Sequence, residues 1–471
     1  MKKIPITEPV LQSIGKLADQ EGVSVYVVGG YVRDVLRKKP GKDIDVVVLG
    51  PGIRFAERVA TLFGRTNLVT FPKFGTAMLQ LDDVKLEVVG ARKERYDRTS
   101  RKPDVEQGTL EEDLSRRDFT VNAIAAVLNS DHAGNIVDPF DGRADLRKKV
   151  LRTPLDPSET FDDDPLRMMR AARFAAQLGF EVDAKALKAA AAMCDRLKIV
   201  SQERISEEFL KLLGSDQPSI GLQLMYDTGM MEVVFAEVAR LAGVDQRKEY
   251  HHKDVFLHTL KVVDNISRET DNVWLRMAAL LHDIAKPKTK AFKEGIGWTF
   301  HGHEEIGARM VKSIFRRMRF PLEHVPFVEK LVRLHLRPMA LVDEEVTDSA
   351  VRRLLFEAGQ EVDDLMTLCR ADITSKNPRL VSEVKGNYER VAGKMKVVEE
   401  RDKMRNWRPA LTGDEIMALC GLEQGPLVGK LKQAVVDAIL DGHIPNEHEA
   451  AREYLLKIKD EILAASAGSS R

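Results

Sequence analysis

The sequence predicts an α+β fold, in which a head that mixes strands and helices precedes a chain that is almost entirely helical. Up to about residue 150, short runs of β-branched residues are bounded by glycines or charged residues, which is typical of strands. These runs are Val25–Val28, Ile44–Leu49 and Val84–Val89. From about Pro165 onward, apolar residues recur three and four positions apart, which is the spacing of amphipathic helices.

The helical pattern is interrupted twice, and these interruptions set the expected domain boundaries. A charged, glycine-containing stretch occupies Leu241 to Tyr250, and Pro409 and Gly413 break the pattern again. A chain of 471 residues is long enough for about three domains. We therefore predict a head at residues 1–150, a helical neck at 151–245, a third domain at 246–400 and a helical tail at 401–471.

Composition excludes several classes of protein. Lys plus Arg and Asp plus Glu are each 73, so the net charge is zero and a polyanionic partner must be met by a local patch. Cys194, Cys369 and Cys420 form no C-x-x-C pair, which argues against a disulfide framework or a thiolate metal site. No stretch approaches the ~18 apolar residues of a membrane-spanning helix, and no secretory signal follows the first lysines. We expect a cytoplasmic protein without a membrane partner.

One early segment combines groups that can bind a phosphate and a metal. Gly29 and Gly30 follow a strand and let backbone N–H groups approach a phosphate, and Arg33 adds a positive charge one turn into the next helix. Asp43 and Asp45 are two positions apart at the start of the next strand, so their carboxylates share one face. A divalent cation relieves the repulsion between two such carboxylates. The alternative is that Asp43 caps a loop and Asp45 is solvated.

A third acid fits the same geometry. In the predicted strand Val84–Val89 the even positions are apolar, so Glu87 projects to the opposite face. Glu87 either completes the metal site of Asp43 and Asp45 or is a surface residue on a half-exposed strand.

Several sequence motifs follow one another in order along the first half of the chain. They are GGYVRD with DID, RRDFTVNA (Arg116–Ala123), DPFDGRADL (Asp138–Leu146), DDPLRMMRAARFAAQLGF (Asp163–Phe180) and ERISEEFLKLL (Glu203–Leu213). Together they resemble the motifs of the class II tRNA nucleotidyltransferase and bacterial poly(A) polymerase family. The resemblance runs from about Val25 to Leu213 and resumes in the tail at LTGDEIMALCGLEQGPLVGKLKQAVVDAILDGHIPNE, so with the domain between them it covers most of the chain. It implies that the head has a DNA polymerase β-like nucleotidyltransferase fold.

The resemblance assigns roles to individual residues of the head. It implies that Asp43 and Asp45 hold two Mg²⁺ ions, which activate the 3′-hydroxyl of RNA and bind the nucleoside triphosphate. It also implies that the ribose and triphosphate of that nucleotide are bound by Arg117, Asp118 and Asn122. The alternative for this segment is a helix start at which Asp118 caps and Arg117 is exposed.

The resemblance also implies a protein template that selects the base. Asp164 and Arg167 are three positions apart and can lie on one helix face. In the family, this carboxylate accepts a hydrogen bond from the amine of cytosine or adenine, while the guanidinium donates to the base edge. Arg170 continues that face one turn later. The alternative is that Asp164 is a helix N-cap, with Pro165 at the first helical position.

Two segments bear on the product of the reaction. Bacterial poly(A) polymerases of the family carry a Gly-Arg-Arg-Phe-like stretch after the metal strand, whereas this chain has FPKFGTA at Phe71–Ala77, as in CCA-adding members. The segment Arg92–Thr109 is polar and highly charged, and we predict that it is a mobile loop. CCA-adding members have such a loop, which is shortened in CC-adding members. The resemblance therefore implies complete CCA addition.

The third domain carries histidines and aspartates on successive predicted helices. Imidazoles and carboxylates arranged in this way can hold a divalent transition metal, and a set without thiolates suits Mn, Fe, Co or Ni. Any one of these histidines is more often a hydrogen-bonded helix residue. The series consists of His258, His282, Asp283, His303, His335 and Asp372.

This series, spread over about Tyr250 to Pro378, resembles the HD phosphohydrolase superfamily. The resemblance implies two sets of ligands: His258, His282, Asp283 and Asp372 at the core, with His303 and His335 for a second metal in dinuclear members. Lys286 matches a phosphate-contacting position. The implied chemistry is hydrolysis of phosphomonoesters or 2′,3′-cyclic phosphates by metal-bound water.

We therefore predict an Mg²⁺-dependent enzyme that adds C, C and A from CTP and ATP to the 3′ end of tRNA, with a second, HD-type hydrolytic site and no DNA partner. One alternative is a poly(A) polymerase, which product length distinguishes. Another is an RNA-binding protein with inactive metal sites, and the complete sets of acidic and histidine ligands argue against it.

Overall fold

The computed structural model of the chain describes residues 3–39, 41–95, 104–244, 254–295, 297–342, 347–375, 377–402, 404 and 407–468. It divides into two compact units, Met1–Arg240 and Leu241–Arg471. The predicted α+β fold is confirmed, since the large sheet lies in the first unit and the second unit is mainly helical. The division falls at the first predicted interruption of the helical pattern, and the other domain boundaries stay predictions.

Strands of the first unit form one large mixed sheet and two small ones. In the described residues the strands are β1 (Val25–Val28), β2 (Asp43–Val48), β3 (Val69–Phe71), β4 (Thr76–Leu81), β5 (Val84–Gly90), β6 (Arg92–Arg95), β7 (Asp104–Gln107), β8 (Ala125–Val127), β9 (Ile136–Val137), β10 (Val150–Leu151) and β11 (Glu181–Val182). The large sheet has the order β3-β4-β5-β2-β1-β8-β9. Its central pair, β2 and β5, is parallel, while β1 and β4 run antiparallel to their neighbours in that pair.

The sheet is held by apolar side chains on both of its faces. In β2, Ile44, Val46 and Val48 belong to the core on one face, whereas Val47 packs with the cluster on the other. Burial on two faces explains why this strand is a nearly continuous β-branched run rather than an alternating one. The two polar residues of β2, Asp43 and Asp45, lie within the first three positions of the strand, at the edge of the core.

Helices of the first unit cover the sheet and continue beyond it. They are α1 (Pro9–Glu21), α2 (Gly30–Leu36), α3 (Gly52–Leu62), α4 (Leu110–Ser115), α5 (Gly142–Lys148), α6 (Pro157–Asp163), α7 (Leu166–Leu178), α8 (Ala184–Met193), α9 (Gln202–Leu213), α10 (Pro218–Asp227) and α11 (Met230–Ala239). Helix α7 buries Ala171, Phe174 and Ala175 against Phe119 and Val121 of the head. This packing brings the RRDFTVNA and DDPLRMMR motifs together.

The predicted mobile loop at Arg92–Thr109 is partly wrong. Strands β6 and β7 pair as an antiparallel ribbon in which Arg92 aligns with Gln107 and Arg95 with Asp104. Residues 96–103 lie outside the described part of the chain. The polar composition suggested a loop, but strand pairing satisfies the backbone N–H and C=O groups of both segments whatever side chains they carry.

The second unit consists of helices and one small hairpin. Its described elements are α12 (Val255–Ser267), α13 (Val273–Leu281), α14 (Lys286–Thr289), β12 (Ala291–Lys293), β13 (Gly297–Thr299), α15 (His303–Arg317), α16 (Val325–Leu334), α17 (Asp348–Ala358), α18 (Val362–Ala371), α19 (Pro378–Asp402), α20 (Gly413–Cys420), α21 (Pro426–Leu440) and α22 (His448–Gly468). Helix α13 is buried on nearly all sides and packs on α12, α16 and α18. A separate core, which includes Ile416, Leu431 and Leu455, joins the last three helices.

Across the residues that the structure describes, none of the helices is both long enough and apolar enough to cross a bilayer.

Candidate active site and metal centre

The turn after β1 is shaped by a glycine with a left-handed backbone. Gly29 has a φ of 72°, and a Cβ at this position would lie 2.8 Å from Arg117 Nη1 and 3.4 Å from Asp45 Oδ2. Its own N–H donates to Ile124 O at 3.1 Å, so this amide is not available to a phosphate as the sequence had suggested. Gly29 instead allows Arg117 to approach Asp45 across the turn.

Three carboxylates lie on the two central strands. Asp45 aligns with Glu87 in the parallel pair of β2 and β5, while Asp43 is two residues earlier on the same face as Asp45. Burial raises the pKa of Asp45, Arg117 partly offsets this effect, and Asp43 raises the pKa further. Burial and the charge of Asp45 also raise the pKa of Glu87. A divalent cation would relieve this repulsion, so the residues fit a hard metal ion.

The carboxylates of Asp43, Asp45 and Glu87 do not come together as one group of three ligand atoms. Among the described residues, groups of three ligand atoms lying within 4.8 Å of one another occur only at six residues of the second unit. The pairing of Asp43 and Asp45 therefore carries the metal prediction for the head. Glu87 is half-buried beside Asp45 rather than exposed, and its place in the metal site stays a prediction.

The RRDFTVNA motif forms a buried hydrogen-bond network rather than a helix cap. Asp118 accepts from Arg170 Nε at 2.8 Å, from Asn122 Nδ2 at 3.0 Å and from the Phe119 N–H at 2.8 Å. Asn122 Oδ1 in turn accepts from Arg33 Nη1 at 2.8 Å. Burial alone would raise the pKa of Asp118, but Arg170 and these hydrogen bonds outweigh it and lower the pKa to about 2. Asp118 is thus charged and orients two cationic side chains.

A cavity of about 460 Å³ brings most of the predicted nucleotide-binding residues together. Arginines dominate its wall, with Asp43 and Asp45 among the acids that line it. Of the predicted residues, the lining includes Gly30, Arg33, Asp43, Asp45, Arg117, Asp118, Asn122, Asp164, Arg167 and Arg170, but not Gly29 or Glu87. A wall rich in guanidinium groups suits the phosphates of a nucleotide.

Several residues of this cavity were not predicted from the sequence. Arg173 and Phe174 follow Arg170 on α7, and Arg173 Cζ lies 4.0 Å from the centre of the Phe174 ring. The i, i+3 spacing of Arg167, Arg170 and Arg173 was the available signal. Arg204, which also lines the cavity, comes from α9, and no local pattern connects it to α7.

The proposed template pair adopts a different arrangement from the expected shared helix face. Asp164 has extended backbone (φ −141°, ψ 100°) between α6 and α7, and its carboxylate accepts from Arg204 Nη2 at 2.8 Å and from the Leu166 N–H at 3.2 Å. Arg167 donates to Thr160 O at 3.0 Å and to Arg116 O at 2.6 Å. Asp164 therefore does bond to the start of α7, as the capping alternative required, while both side chains still line the cavity.

Asp118→Asn is expected to destabilise the first unit by roughly 1–2 kcal/mol near neutral pH. This is below the ~3–5 kcal/mol of a fully buried pair because the Arg170 side chain is 33% exposed. The folded pKa of about 2 is below the ordinary value of 3.8, so the wild-type advantage is complete above about pH 4 and shrinks as the pH falls towards 2. Thermal unfolding at pH 3 and pH 6 measures this, with the exposed Asp131→Asn as control. A difference independent of pH would contradict it.

In the second unit, six ligand side chains meet at the ends of helices. His258 lies on α12, His303 begins α15, and the other four directly follow α13, α16 and α18, namely His282, Asp283, His335 and Asp372. His258 Nε2 is 2.9 Å from Asp372 Oδ1, and His282 Nε2 is 3.2 Å from Asp283 Oδ2. The other oxygen of Asp283 lies 3.3 Å from His303 Nε2 and 4.0 Å from His335 Nε2.

Asp283 is the centre of this cluster. The ligand atoms form two groups of three, His258 with His282 and Asp372, and Asp283 with His303 and His335. The two oxygens of Asp283 face different histidines, so this carboxylate lies between the two groups of ligand atoms. Burial alone would raise the pKa of Asp283, but His282 and Lys286 outweigh it and hold this pKa well below its ordinary range. The group is therefore ionised and can bind a cation.

The histidines are oriented as metal ligands. The Nδ1 atoms of His282, His303 and His335 each lie 2.7–2.8 Å from a backbone carbonyl, which can only accept, so each Nδ1 carries the proton. Burial alone would lower the pKa of His282, but Asp283 outweighs it and raises this pKa to about 9, so a metal ion must displace a proton there. In the neutral form of each imidazole, Nε2 presents a lone pair to the cluster. The Nε2 atoms of His282 and His303 are buried without a hydrogen bond of adequate geometry in the described residues. A divalent metal would satisfy them, so the residues present fit such an ion.

Two neighbours complete the cluster. Lys286 Nζ donates to Asp283 Oδ2 at 2.6 Å, so the predicted phosphate-contacting amine is paired with a ligand oxygen. Thr374 Oγ1 lies 2.9 Å from His258 Nδ1 and orients this fourth imidazole. Thr374 was not predicted from the sequence, because its contact with His258 joins residues 116 positions apart.

Three family descriptions match consecutive parts of the chain. Residues 25–152 match the Poly A polymerase head domain, residues 179–241 match the Probable RNA and SrmB- binding site of polymerase A, and residues 249–375 match the HD domain.

Curated relatives match nearly the whole length. A CC-adding tRNA nucleotidyltransferase of Thermus thermophilus is 33% identical over 448 residues, covering 92% of this chain and 93% of the relative. An A-adding tRNA nucleotidyltransferase of Deinococcus radiodurans is 31% identical over 433 residues, covering 90% of this chain and 93% of the relative.

A solved structure shares the fold. The Bacillus stearothermophilus CCA-adding enzyme, in complex with CTP, has a TM-score of 0.61 at 23% identity, covering 97% of this chain and 99% of that one. The family predicted from the motifs is confirmed by the curated relatives. The chain belongs to the tRNA nucleotidyltransferase and poly(A) polymerase family of nucleotidyltransferase enzymes, with an HD domain in its second unit.

Proposed function

We propose that the chain adds C, C and A from CTP and ATP to the 3′ end of tRNA. The observation that carries this proposal is the arginine-walled cavity whose acids include Asp43 and Asp45. It supports a nucleoside triphosphate as substrate, and the relatives named above act on tRNA by name.

In the proposed reaction the side chains position both reactants. Asp43 and Asp45 would hold Mg²⁺, which supplies activation of the RNA 3′-hydroxyl and neutralisation of charge on the transferring phosphate. Arg117, held by the buried Asp113 at 3.3 Å, provides positive charge next to Asp45. Arg33 and Arg170 are fixed through Asn122 and Asp118, so their guanidinium groups need little reorganisation to contact a triphosphate.

Product length has two candidate outcomes. The segment Arg92–Thr109 stands at the position of the loop that CC-adding members shorten, and its presence in this chain favours complete CCA addition. The two curated relatives are named for only part of that product, C and C or A, which makes restricted addition the second candidate.

A tRNA series tests these products directly. Purified chain is incubated with α-labelled CTP or ATP and transcripts that end before CCA, after C, or after CC. Complete CCA addition requires two C and one A on the shortest transcript. A stop after CC or activity only on the CC-ended transcript identifies restricted addition, a long adenylate tail identifies poly(A) synthesis, and no turnover identifies an inactive RNA-binding protein.

We also propose that the HD domain hydrolyses phosphate esters. The observation behind this is the orientation of four imidazoles towards Asp283 and Asp372. In the described part of the site, the buried Nε2 atoms of His282 and His303 make no hydrogen bond of adequate geometry. A divalent transition metal such as Mn, Fe, Co or Ni would supply activated water and polarise the phosphoryl oxygen. Lys286, whose amine donates to Asp283, would lie next to the bound phosphate ester. Release of phosphate from a phosphomonoester or opening of a 2′,3′-cyclic phosphate, with metal content determined in parallel, tests this proposal.

Arg167→Ala is expected to weaken the choice of CTP and ATP over UTP and GTP about 10- to 100-fold. A correct bidentate contact to a base is worth ~1–3 kcal/mol, and this guanidinium can provide one only after leaving the carbonyls of Thr160 and Arg116. Single-turnover incorporation of each nucleotide measures the effect, with Arg196→Ala, which lies outside the cavity lining, as control. Unchanged selectivity would assign Arg167 a purely structural role.

A further inference from the structure

An exposed aromatic pair lies on the hairpin that precedes the HD ligand His303. Phe292 on β12 and Trp298 on β13 are directly aligned across the hairpin, and their ring centres are 5.3 Å apart at 75°. Phe292 is 67% exposed and Trp298 is 38% exposed. The neighbouring Thr299 is buried and faces the other side, so the two rings lie on the open face of the hairpin.

Lysines are concentrated in the sequence that leads into this hairpin, and one of them contacts the aromatic face. The segment from Lys286 to Lys293 contains four lysines in eight residues and no acidic residue. Lys290 Nζ lies 4.5 Å from the centre of the Trp298 ring. This concentration of positive charge in a chain of zero net charge indicates an anionic ligand.

Contacts lead from the hairpin to the HD ligands. Lys286 Nζ lies 5.6 Å from the centre of the Phe300 ring and also bonds to Asp283. The carbonyl of Phe300 accepts from His303 Nδ1 at 2.7 Å. A ligand seated on the aromatic face is therefore next to the site where we propose ester hydrolysis.

We propose that this hairpin binds the unpaired 3′ end of an RNA, with a base stacked on Phe292 and Trp298 and its phosphate directed by the lysines to the HD ligands. Proteins bind single-stranded nucleic acid through exposed aromatic rings next to cationic side chains. The rings stack on the π faces of the bases, and the cations attract the phosphates. This proposal rests on the proposed hydrolytic function of the HD domain and specifies the class of its substrate. The hairpin is then a base-binding element and takes no part in the bond cleavage itself.

Binding is measured on the full chain by the fluorescence anisotropy of a 5′-labelled trinucleotide RNA that ends in a 2′,3′-cyclic phosphate, and quenching of tryptophan fluorescence is recorded in parallel. We expect Phe292→Ala and Lys290→Gln to weaken binding and Trp298→Ala to weaken it about tenfold, the size of one lost stacked base. Trp298→Phe should retain affinity but lose most of the quenching. Two exposed positions in the same unit, Lys312→Gln and Val397→Ala, serve as matched controls and should bind as wild type does.

A second readout compares hydrolysis of this RNA with that of glycerol phosphate, which has no base. We expect the preference for RNA to fall about tenfold in Trp298→Ala, through KM rather than kcat. If the hairpin variants kept wild-type affinity for the RNA and wild-type preference for RNA over glycerol phosphate, the proposal would be overturned. A change in the self-association of the chain in these variants would not alter that conclusion. Failure of the wild type to hydrolyse either ester would overturn the hydrolytic function, and quenching by RNA would still decide whether the hairpin binds it.

Discussion

Asp45→Ala is expected to lower the rate of nucleotide addition by about 10³-fold or more. Metal coordination stabilises the charge of a phosphoryl transition state by several kcal/mol, and each 1.36 kcal/mol corresponds to a factor of ten. Asp45 shares a face of β2 with Asp43, and its pKa is raised by burial and by that neighbour. The alanine variant removes both a ligand and this repulsion, so folding should be preserved while catalysis is lost.

The matched control for Asp45→Ala is Asp131→Ala, which removes an exposed acid from the same unit. Labelled CTP incorporation measures activity, and a gel shift with truncated tRNA measures binding, which should change little in either variant. Near-normal incorporation by Asp45→Ala would refute the assignment of the head carboxylates. Loss of tRNA binding together with activity would show that the acid supports the fold instead.

The central strands of the head could be predicted because their signal is local. The runs Val25–Val28, Ile44–Leu49 and Val84–Val89 match β1, β2 and β5 to within one residue at each end. The outer strands β3, β8 and β9 have only two or three residues each, so no alternation could develop in them. Their place in the sheet depends on pairing with distant strands, which a single segment does not encode.

The motif order predicted which residues meet, but not their bonds to one another. Asp164 was placed on a helix face with Arg167, whereas Pro165 separates two helices and leaves Asp164 extended. Its partner Arg204 lies 40 residues later, so sequence spacing could not suggest the pair. The Asp118–Arg170 bond joins residues 52 apart for the same reason.

The HD ligands were more fully predictable than the nucleotide cavity. Histidine and aspartate are chemically distinctive, and each predicted ligand stands at or near a helix end where helices converge. What the sequence lacked was the central position of Asp283, because that depends on how α12, α13, α15, α16 and α18 pack. The orienting carbonyls of His282, His303 and His335 lie three residues earlier in each case, so that feature is local.

Asp283→Ala is expected to abolish metal-dependent hydrolysis by the HD domain while nucleotide addition continues. Asp283 belongs to the group of His303 and His335, and its other oxygen lies 3.2 Å from His282 Nε2 of the second group, so its removal affects both groups. The unpaired imidazoles and Lys286 should cost about 1–3 kcal/mol of stability in the second unit. The acids of the head belong to the other compact unit, and CCA addition to truncated tRNA should remain near wild-type levels.

The measurement of Asp283→Ala has three parts: bound transition metal by elemental analysis, hydrolysis of a 2′,3′-cyclic phosphate, and nucleotide incorporation. Asp283→Asn, which preserves shape, separates lost charge from lost packing, and the exposed Glu383→Ala is the control for removal of an acid from this unit. Metal content should fall with hydrolysis in both Asp283 variants, because the carboxylate charge is what a cation requires beside neutral imidazoles. Unchanged metal content would refute Asp283 as a ligand. Parallel loss of incorporation in a folded variant would show that the two sites are coupled, since ligand removal by itself affects only the unit that contains it.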